Sequence, residues 1–238
     1  MIKVITSKDN SRVKFALSLK DNKNRKKEGR FLAEGKKALE MALLNKQVEV
    51  VFTTEWLNID ENIEQILVSE EIIKKLASTV SPEGIVFISK IRSFEGQEFN
   101  KILYLDEIND PGNLGTLIRT ALAFSYDAVI TSENSCSIYN EKVINSSKGA
   151  IFSIPVFVGE LSKYQNTHDI IVSALEKDSV DFNNIDVPSK FVLVLGNESH
   201  GVKKSTLEIA KKKVIIPIAN IDSLNVAIAG GILMSKIH

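Results

Sequence analysis

Residues 191–238 contain the pattern that most restricts the fold of this chain. Two short apolar runs, residues 191–195 and 214–216, each end abruptly in a polar loop, and a helical pattern follows each loop. A short apolar run of this kind is typical of a strand buried on both faces of a sheet. Open α/β sheets bind ligands at the carboxyl ends of their strands. We therefore expect the two polar loops to form one site.

The same alternation of strands and helices begins at residue 102. Apolar runs predict further strands over residues 102–105, 128–131, 154–158 and 170–175, and helical patterns lie over residues 113–124 and 141–147. Strands that alternate with helices predict a largely parallel sheet with helices on both faces. We therefore expect an α/β domain over residues 101–238.

The first part of the chain predicts a smaller α/β domain over residues 1–92, joined to the second by a linker over residues 93–100. Residues 20–30, KDNKNRKKEGR, are polar and lack any apolar periodicity, so we expect a loop there. The remaining patterns predict helices over residues 12–19, 36–45 and 70–77 and strands over residues 31–35, 49–53, 64–68 and 85–90.

Charge is distributed unevenly although the chain as a whole has a net charge of zero. Residues 1–46 contain 13 Lys and Arg against 5 Asp and Glu, whereas both later segments, residues 47–100 and 101–238, are acidic. A basic segment on an otherwise acidic protein indicates a polyanionic partner. The candidate phosphate contacts are Lys20, Lys23, Arg25, Lys26, Lys27 and Arg30.

Composition excludes several classes of protein. The single cysteine, Cys136, rules out an internal disulfide and fits a reducing cytoplasm, where we expect the protein. The sequence has no apolar run long enough for a membrane span, and its first residues lack the apolar core of a signal peptide. No Cys and His cluster has the spacing of metal ligands, so we expect no metal.

Asn113 and Arg119 lie at a helix start that is unusually bare of side chains. Gly112 and Gly115 flank Asn113, and Arg119 shares a helical face with Gly115. A bare helix N-terminus with a guanidinium nearby suits a phosphate or an oxyanion. The alternative interpretation is an ordinary helix cap and a surface arginine.

The two C-terminal loops also permit a purely structural interpretation. Glu198 precedes a predicted helix, where a negative charge is favourable, and Ser223 is suited to cap the last helix. Capping sites and ligand sites use the same unpaired backbone groups, so both interpretations can hold together. We interpret His200 as an exposed loop residue rather than a base.

Three segments carry a resemblance to a known family. The segments LDEINDPGNLGTLIRTALAF, GNESHG and IPIANIDSLNVAIA resemble, in order and spacing, the three motifs of the SpoU/TrmH family of RNA ribose 2′-O-methyltransferases, which belongs to the SPOUT class. The resemblance covers residues 102–238 and implies a trefoil knot, a rare exception to unknotted connections. Residues 1–92 resemble a substrate-binding domain related to a kink-turn-binding ribosomal protein.

The resemblance implies a cofactor, S-adenosyl-L-methionine, and a set of site residues. Arg119 would be the catalytic arginine near the target ribose, and Glu198 would organise the site. The implied catalytic residues are Arg119, Asn113, Glu198, Ser223 and Asn225. The implied cofactor-binding residues are Leu195, Gly196, Gly201, Ile216, Pro217, Ile218, Ser223, Leu224 and Ala227.

The resemblance also implies a homodimer, paired through the first helix of the second domain and the C-terminal helix. Residues 225–236 are apolar most of the way round a helix, although this also fits a helix that is central in its own domain. Ribosomal RNA is the favoured substrate and transfer RNA the alternative. Two other classes remain: a non-enzymatic RNA-binding or ribosome-assembly protein, and a nucleotide-binding oxidoreductase, for which no G-x-G-x-x-G follows an early strand.

Overall fold

A computed structural model describes residues 3–238, which form two compact units. The first unit comprises the residues up to Ser93 together with Tyr139–Ser153, and the second comprises Phe94–Ile138 and Ile154–His238. Residues 139–153, which the sequence places in the second domain, therefore pack with the first unit. They contain a short helix that packs on a strand of the first unit.

The first unit contains a five-stranded mixed sheet. Its strands are β1 (Lys3–Ile5), β2 (Arg30–Glu34), β3 (Val48–Thr53), β4 (Glu64–Val68) and β5 (Ile85–Lys90), in the spatial order β1-β4-β3-β5-β2. Its helices are α1 (Ser11–Ser18), α2 (Asn22–Glu28), α3 (Lys36–Leu44), α4 (Glu70–Leu76) and α6 (Glu141–Ser146). Helices α1 and α4 cover one face of the sheet, where Phe52, Ile66 and Ile73 are fully buried.

Helix α2 contradicts the prediction of a loop over residues 20–30. The Asp21 side chain accepts hydrogen bonds from the backbone N–H groups of Lys23 and Asn24, and Gly29 ends the helix in the left-handed conformation at φ 62°. Both are standard capping interactions. The helix has no apolar face because its inward-facing residue is Arg25, which is only 6% exposed.

The second unit contains a seven-stranded sheet in which every pairing is parallel, as predicted. Its strands are β6 (Lys101–Leu105), β7 (Ala128–Thr131), β8 (Val156–Val158), β9 (Asp169–Ser173), β10 (Val180–Asp181), β11 (Phe191–Leu195) and β12 (Lys212–Ile215), in the spatial order β10-β12-β9-β11-β6-β7-β8. Its helices are α5 (Pro111–Ala123), α7 (Lys204–Glu208) and α8 (Val226–Met234). The central strands are buried on both faces, which explains their continuous apolar runs.

Helices α5 and α8 pack directly on each other. A side chain at Gly230 would come within 2.4 Å of Leu117 and 2.8 Å of Leu195, so the glycine allows this close approach. The opposite face of the sheet packs against residues that include Leu161 and Leu207. Helices therefore cover both faces, in agreement with the prediction. The implied trefoil knot stays a prediction, since strand order does not describe how the chain threads.

The segment predicted as a linker is partly folded onto the second unit. The ring centroids of Phe94 and Phe99 lie 5.7 and 5.9 Å from that of Phe157, and Phe99 is buried in the core of this unit. Aromatic contacts at these distances stabilise packing beyond the area they bury. Across residues 3–238, none of the helices combines the length and apolarity required to cross a membrane.

Candidate active site

A cavity of about 490 Å³ opens in the second unit where β9, β11 and β12 end. These three strands are neighbours in the sheet, and in parallel sheets their carboxyl ends share one edge. The volume lies within the range typical of small-molecule sites. The two loops singled out in the sequence both line it, together with a third segment at the end of β9.

Most of the residues that the resemblance assigns to the cofactor do line this cavity. They are Leu195, Gly196, Gly201, Ile216, Ile218, Ser223 and Leu224. Pro217 and Ala227 are not among the lining residues. Ala227 instead lies in the first turn of α8, where its backbone N–H donates a 2.9 Å hydrogen bond to the Asn225 side chain. The assignments of Pro217 and Ala227 to the cofactor stay predictions.

Gly196 allows one wall of the cavity to fold back on itself. A Cβ at this position would lie 2.4 Å from both the Gly201 carbonyl carbon and the Val202 nitrogen. Asn197 and Gly201 meanwhile pair through two backbone hydrogen bonds of 3.0 Å. The loop is thus a tight turn whose backbone leaves no room for a side chain at Gly196.

Three predicted catalytic residues form a chain of hydrogen bonds. Asn113 Nδ2 donates to Glu198 Oε1 at 3.0 Å, and Asn225 Nδ2 donates to Asn113 Oδ1 at 3.1 Å. Asn225 Oδ1 in turn accepts the backbone N–H groups of Ala227 and Ile228. The three motifs, distant in sequence, therefore meet at one point, and Glu198 also lines the cavity.

The helix starts differ in detail from the sequence interpretation. Asp110, not Asn113, caps α5, and its side chain accepts the Asn113 backbone N–H at 2.8 Å. Asn225, not Ser223, caps α8, so the capping interpretation of Ser223 is wrong. These shifts leave the Asn113 side chain available to Glu198 and leave Ser223 on the cavity wall.

Arg119 lies on the exposed surface of α5. Its side chain forms no hydrogen bond or ion pair with any residue between 3 and 238. The residue is six positions beyond Asn113, which corresponds to about 9 Å along a helix axis. An unpaired guanidinium keeps all its donors available for an anionic group.

The segment at the end of β9 is a part of the site that sequence reasoning missed. Ser173, Ala174, Leu175 and Glu176 line the cavity, and Glu176 brings an exposed carboxylate to it. The strand was predicted, but its place between β11 and β12 was not, since strand order depends on contacts between distant residues. A search of every strand end for polar residues would have included Glu176 as a candidate.

Cys136 and the acidic side chains give no sign of nucleophilic or metal chemistry. Burial, together with the nearby Asp110 and Glu198 carboxylates, raises the pKa of the Cys136 thiol to about 11. A thiol with such a pKa is mostly protonated at neutral pH and is a weak nucleophile. Within the described part of the chain, His, Cys, Asp and Glu side chains form no cluster suited to a metal ion.

The six predicted RNA contacts in the first unit divide into two groups. Lys23, Lys26 and Lys27 are exposed on α2, where Lys27 also lies 3.5 Å from the Glu28 carboxylate. The others are engaged within the unit. The buried Arg25 donates to the carbonyl oxygens of Leu19 and Lys20, Arg30 pairs with Glu49, and Lys20 donates to the Ala77 carbonyl and contacts Glu141.

The burial of Arg25 excludes it as an RNA contact. Its guanidinium bonds to the two carbonyl groups that lie just before α2, and burial lowers its pKa. The predicted assignment of Arg25 to the RNA-binding set is therefore wrong. Lys20 and Arg30 are half-buried and already paired, so the exposed face of α2 is the stronger candidate.

Helix α8 is buried on one side and exposed on the other. Leu233 is fully buried and Gly230 contacts α5, so these positions serve the packing of their own domain. The interpretation of α8 as a central helix is thus correct for this side. Ile228, however, is 58% exposed on the opposite side.

Comparisons with known proteins cover both units. A model described as the SpoU rRNA Methylase family matches residues 100–235, and a model described as an MRM3-like substrate binding domain matches residues 10–86. The 23S rRNA (guanosine(2553)-2′-O)-methyltransferase RlmP of Bacillus subtilis (strain 168) is 30% identical over 98% of this chain and 98% of its own length.

Two further matches extend the comparison. The crystal structure of an AdoMet-bound rRNA methyltransferase from Sinorhizobium meliloti is 28% identical, with a TM-score of 0.89 over 99% of this chain and 97% of that chain. The tRNA (guanosine(18)-2′-O)-methyltransferase of Aquifex aeolicus (strain VF5) is 32% identical over 146 residues, 59% of this chain and 69% of its own length.

Proposed function

Because the chain belongs to the SpoU rRNA methylase family, we propose that it transfers a methyl group from S-adenosyl-L-methionine to a ribose 2′-hydroxyl of ribosomal RNA. Membership of this family confirms the resemblance of the three C-terminal motifs. The observation that carries the proposal is the cavity at the ends of β9, β11 and β12, which opens beside the Glu198–Asn113–Asn225 chain.

The residues around the cavity fit the cofactor. Apolar side chains such as Leu224 and Ile216 suit an adenine ring, while the tight turn at Gly196 presents backbone groups to a ligand. S-adenosyl-L-methionine supplies an already activated sulfonium methyl group, so the reaction requires no metal. The chain must then align the ribose hydroxyl and stabilise the negative charge that develops on its oxygen.

Arg119 is suited to stabilise that charge. A guanidinium stays protonated in proteins, so it acts as a positive charge and hydrogen-bond donor rather than as a base. The Asn113 amide is oriented by its bonds to Glu198 and Asn225, and it holds the Glu198 loop against the start of α5. Such preorganised groups avoid reorganisation during the reaction.

Ribosomal RNA is favoured over transfer RNA by the extent of the similarity. RlmP, named for a 23S rRNA guanosine, matches both units, whereas the Aquifex tRNA enzyme matches 59% of the chain. We infer that the N-terminal domain, predicted over residues 1–92, selects the RNA. Residues 101–238 then carry the methyltransferase activity. A substrate of this kind and the single free cysteine support a cytoplasmic location.

The proposed function predicts that the protein binds S-adenosyl-L-methionine without a metal and methylates ribosomal RNA. We expect calorimetry on EDTA-treated protein to detect cofactor binding, and mapping of 2′-O-methyl groups to find one rRNA nucleotide unmodified when the gene is deleted. Lack of cofactor binding would favour a non-enzymatic RNA-binding protein. An unmodified tRNA nucleotide instead would select the alternative substrate.

We predict that neutralising the exposed face of α2 weakens RNA binding. Lys23, Lys26 and Lys27 lie three and four residues apart, so they share one side of the helix. The triple Lys→Gln variant should weaken binding and reduce the slope of log K against log salt by about one unit for each phosphate that the helix no longer neutralises. Filter binding at several salt concentrations measures the slope.

A matched triple variant controls for the change in overall charge. Lys163, Lys177 and Lys190 are exposed lysines of the second unit that line no part of the cavity, and their replacement by Gln should leave the slope unchanged. An equal decrease in both triple variants would indicate a general charge effect and reject a specific α2 contact.

We also propose that the protein is a homodimer paired through the exposed side of α8. Ile228 is the large apolar residue on that side, and twofold pairing is the commonest form of oligomer. We predict a mass twice the 26.4 kDa of the chain by light scattering and a monomer for Ile228→Glu. Lys236→Glu on the exposed end of the chain serves as a charge control.

The choice of Ile228 matters because Leu233 is fully buried. A glutamate at Leu233 would place a charge in the core and unfold the domain, so it could not report on pairing. Ile228→Glu leaves the core untouched, and far-ultraviolet circular dichroism should confirm its fold. A wild-type mass near that of one chain would reject the dimer.

A further inference from the structure

Glu107 lies just beyond the end of β6 in an unusual backbone conformation. Its φ of 59° is in the left-handed region, which residues other than glycine rarely adopt. Strained positions of this kind persist only where surrounding interactions hold them, and they concentrate at functional sites. The side chain of Glu107 is only 18% exposed, so it is enclosed by its neighbours.

The backbone of Glu107 connects two loops of the second unit. Its N–H donates to Ser132 Oγ at 2.8 Å, and its carbonyl oxygen accepts from Asn197 Nδ2 at 2.8 Å. Asn197 is the residue that pairs with Gly201 across the tight turn. The backbone therefore fixes the beginning of residues 196–203, which we term the cavity loop because residues 196–202 line the cavity.

The carboxylate of Glu107 reaches the other end of the cavity loop. Its Oε1 accepts from Lys203 Nζ and from Asn134 Nδ2, both at 2.8 Å, and its Oε2 lies 3.6 Å from His200 Nε2. The bond from Lys203, followed by that from Asn134, lowers the pKa of Glu107. The group is therefore ionised at neutral pH, and its hydrogen bond with Lys203 is charge-assisted.

The middle of the cavity loop has few other attachments. Glu198, Ser199 and His200 are exposed, and the described hydrogen bonds of this stretch run from Ser199 to Asn197 and from Asn113 to Glu198. Glu107 contacts both ends of the loop, and its neighbour Asp106 also accepts the Lys203 backbone N–H at 3.4 Å. The Glu107 carboxylate therefore helps to fix where the loop lies relative to the start of α5, which carries Asn113.

We propose that Glu107 is a positioning residue that holds the cavity loop in the conformation that receives S-adenosyl-L-methionine, an inference that rests on the proposed function. Glu107 itself lines no part of the cavity, so its effect passes through Lys203, Asn197 and His200. Without its carboxylate, fewer molecules have a receptive loop, and the apparent affinity falls by that fraction.

Two substitutions separate this role from a contribution to stability alone. Glu107→Ala removes the carboxylate and keeps the backbone strain, whereas Glu107→Gly removes the carboxylate and relieves the strain. If a tenth of the molecules remain receptive, calorimetry should measure a Kd for the cofactor raised about tenfold in both variants. The Gly variant should nevertheless unfold at a temperature equal to or above that of Glu107→Ala.

The control is Glu98→Ala, which removes an exposed carboxylate that lines no part of the cavity and should leave the Kd unchanged. A double-mutant cycle with Lys203→Met should give non-additive effects, since the two side chains act through one contact. If the unaltered protein binds the cofactor and both Glu107 variants have a Kd within about twofold of its Kd, this inference alone is overturned. Absence of binding by the unaltered protein would overturn the proposed function as well.

Discussion

Replacement of Arg119 by alanine is expected to reduce kcat for RNA methylation by about 10²- to 10³-fold, the usual effect of removing one donor to a developing negative charge. The cofactor affinity should not change, because Arg119 is absent from the cavity wall. Stability should change by less than about 0.5 kcal/mol, since the side chain is exposed and has no partner among residues 3–238. Single-turnover methylation, calorimetry and thermal unfolding measure the three quantities.

Two further variants sharpen this test. Arg119→Lys keeps the charge but loses the planar fork of donors, so we expect partial activity between the wild type and the alanine variant. Lys163→Ala removes an exposed cation elsewhere in the same unit and should retain full activity. Wild-type turnover by Arg119→Ala on the true RNA substrate would show that another group stabilises the charge.

The active-site motifs could be found in the sequence because of how parallel sheets are built. Each strand that ends in small and polar residues points to the same edge of the sheet, so Gly196 and Ser223 could be assigned to one cavity before any contact was known. The resemblance supplied the third motif. Asn113 and Glu198 are 85 residues apart, and their 3.0 Å hydrogen bond agrees with their shared assignment.

Helix α2 was missed because the prediction relied on apolar periodicity. In α2 the buried position is occupied by Arg25, whose guanidinium satisfies the Leu19 and Lys20 carbonyl groups instead of contributing an apolar contact. The capping residues Asp21 and Gly29 were visible in the sequence and would have predicted the helix. A helix without an apolar stripe is best predicted from its ends.

Other features depend on contacts that no local pattern contains. The carboxyl end of β9 lines the cavity only because that strand lies between β11 and β12. Tyr139–Ser153 packs with the first unit because Phe152 stacks on Phe31 and Asn145 donates to Glu34. Both arrangements join residues more than twenty positions apart, beyond the reach of periodicity.

Gly196→Ala is expected to abolish measurable cofactor binding and to lower the stability of the protein. The new Cβ would lie 2.4 Å from the Gly201 carbonyl carbon and the Val202 nitrogen, and a backbone contact cannot be relieved by rotating a side chain. The turn must open, which displaces Glu198 from Asn113 and deforms the cavity wall. Overpacking of this kind costs about 1–3 kcal/mol, and each kcal/mol lowers Tm by roughly 2–4 °C.

The same substitution at two other glycines distinguishes the cause. Gly231→Ala adds a methyl group where nothing lies within 4 Å, so Tm and cofactor affinity should be retained. Gly201 also has open space but a φ of 69°, so Gly201→Ala should show the effect of backbone strain without a collision. We expect cofactor affinity to be highest in Gly231→Ala, lower in Gly201→Ala and lowest in Gly196→Ala. Affinity retained in Gly196→Ala would mean that the turn can open without closing the cavity, and that Glu198 need not meet Asn113 for the cofactor to bind.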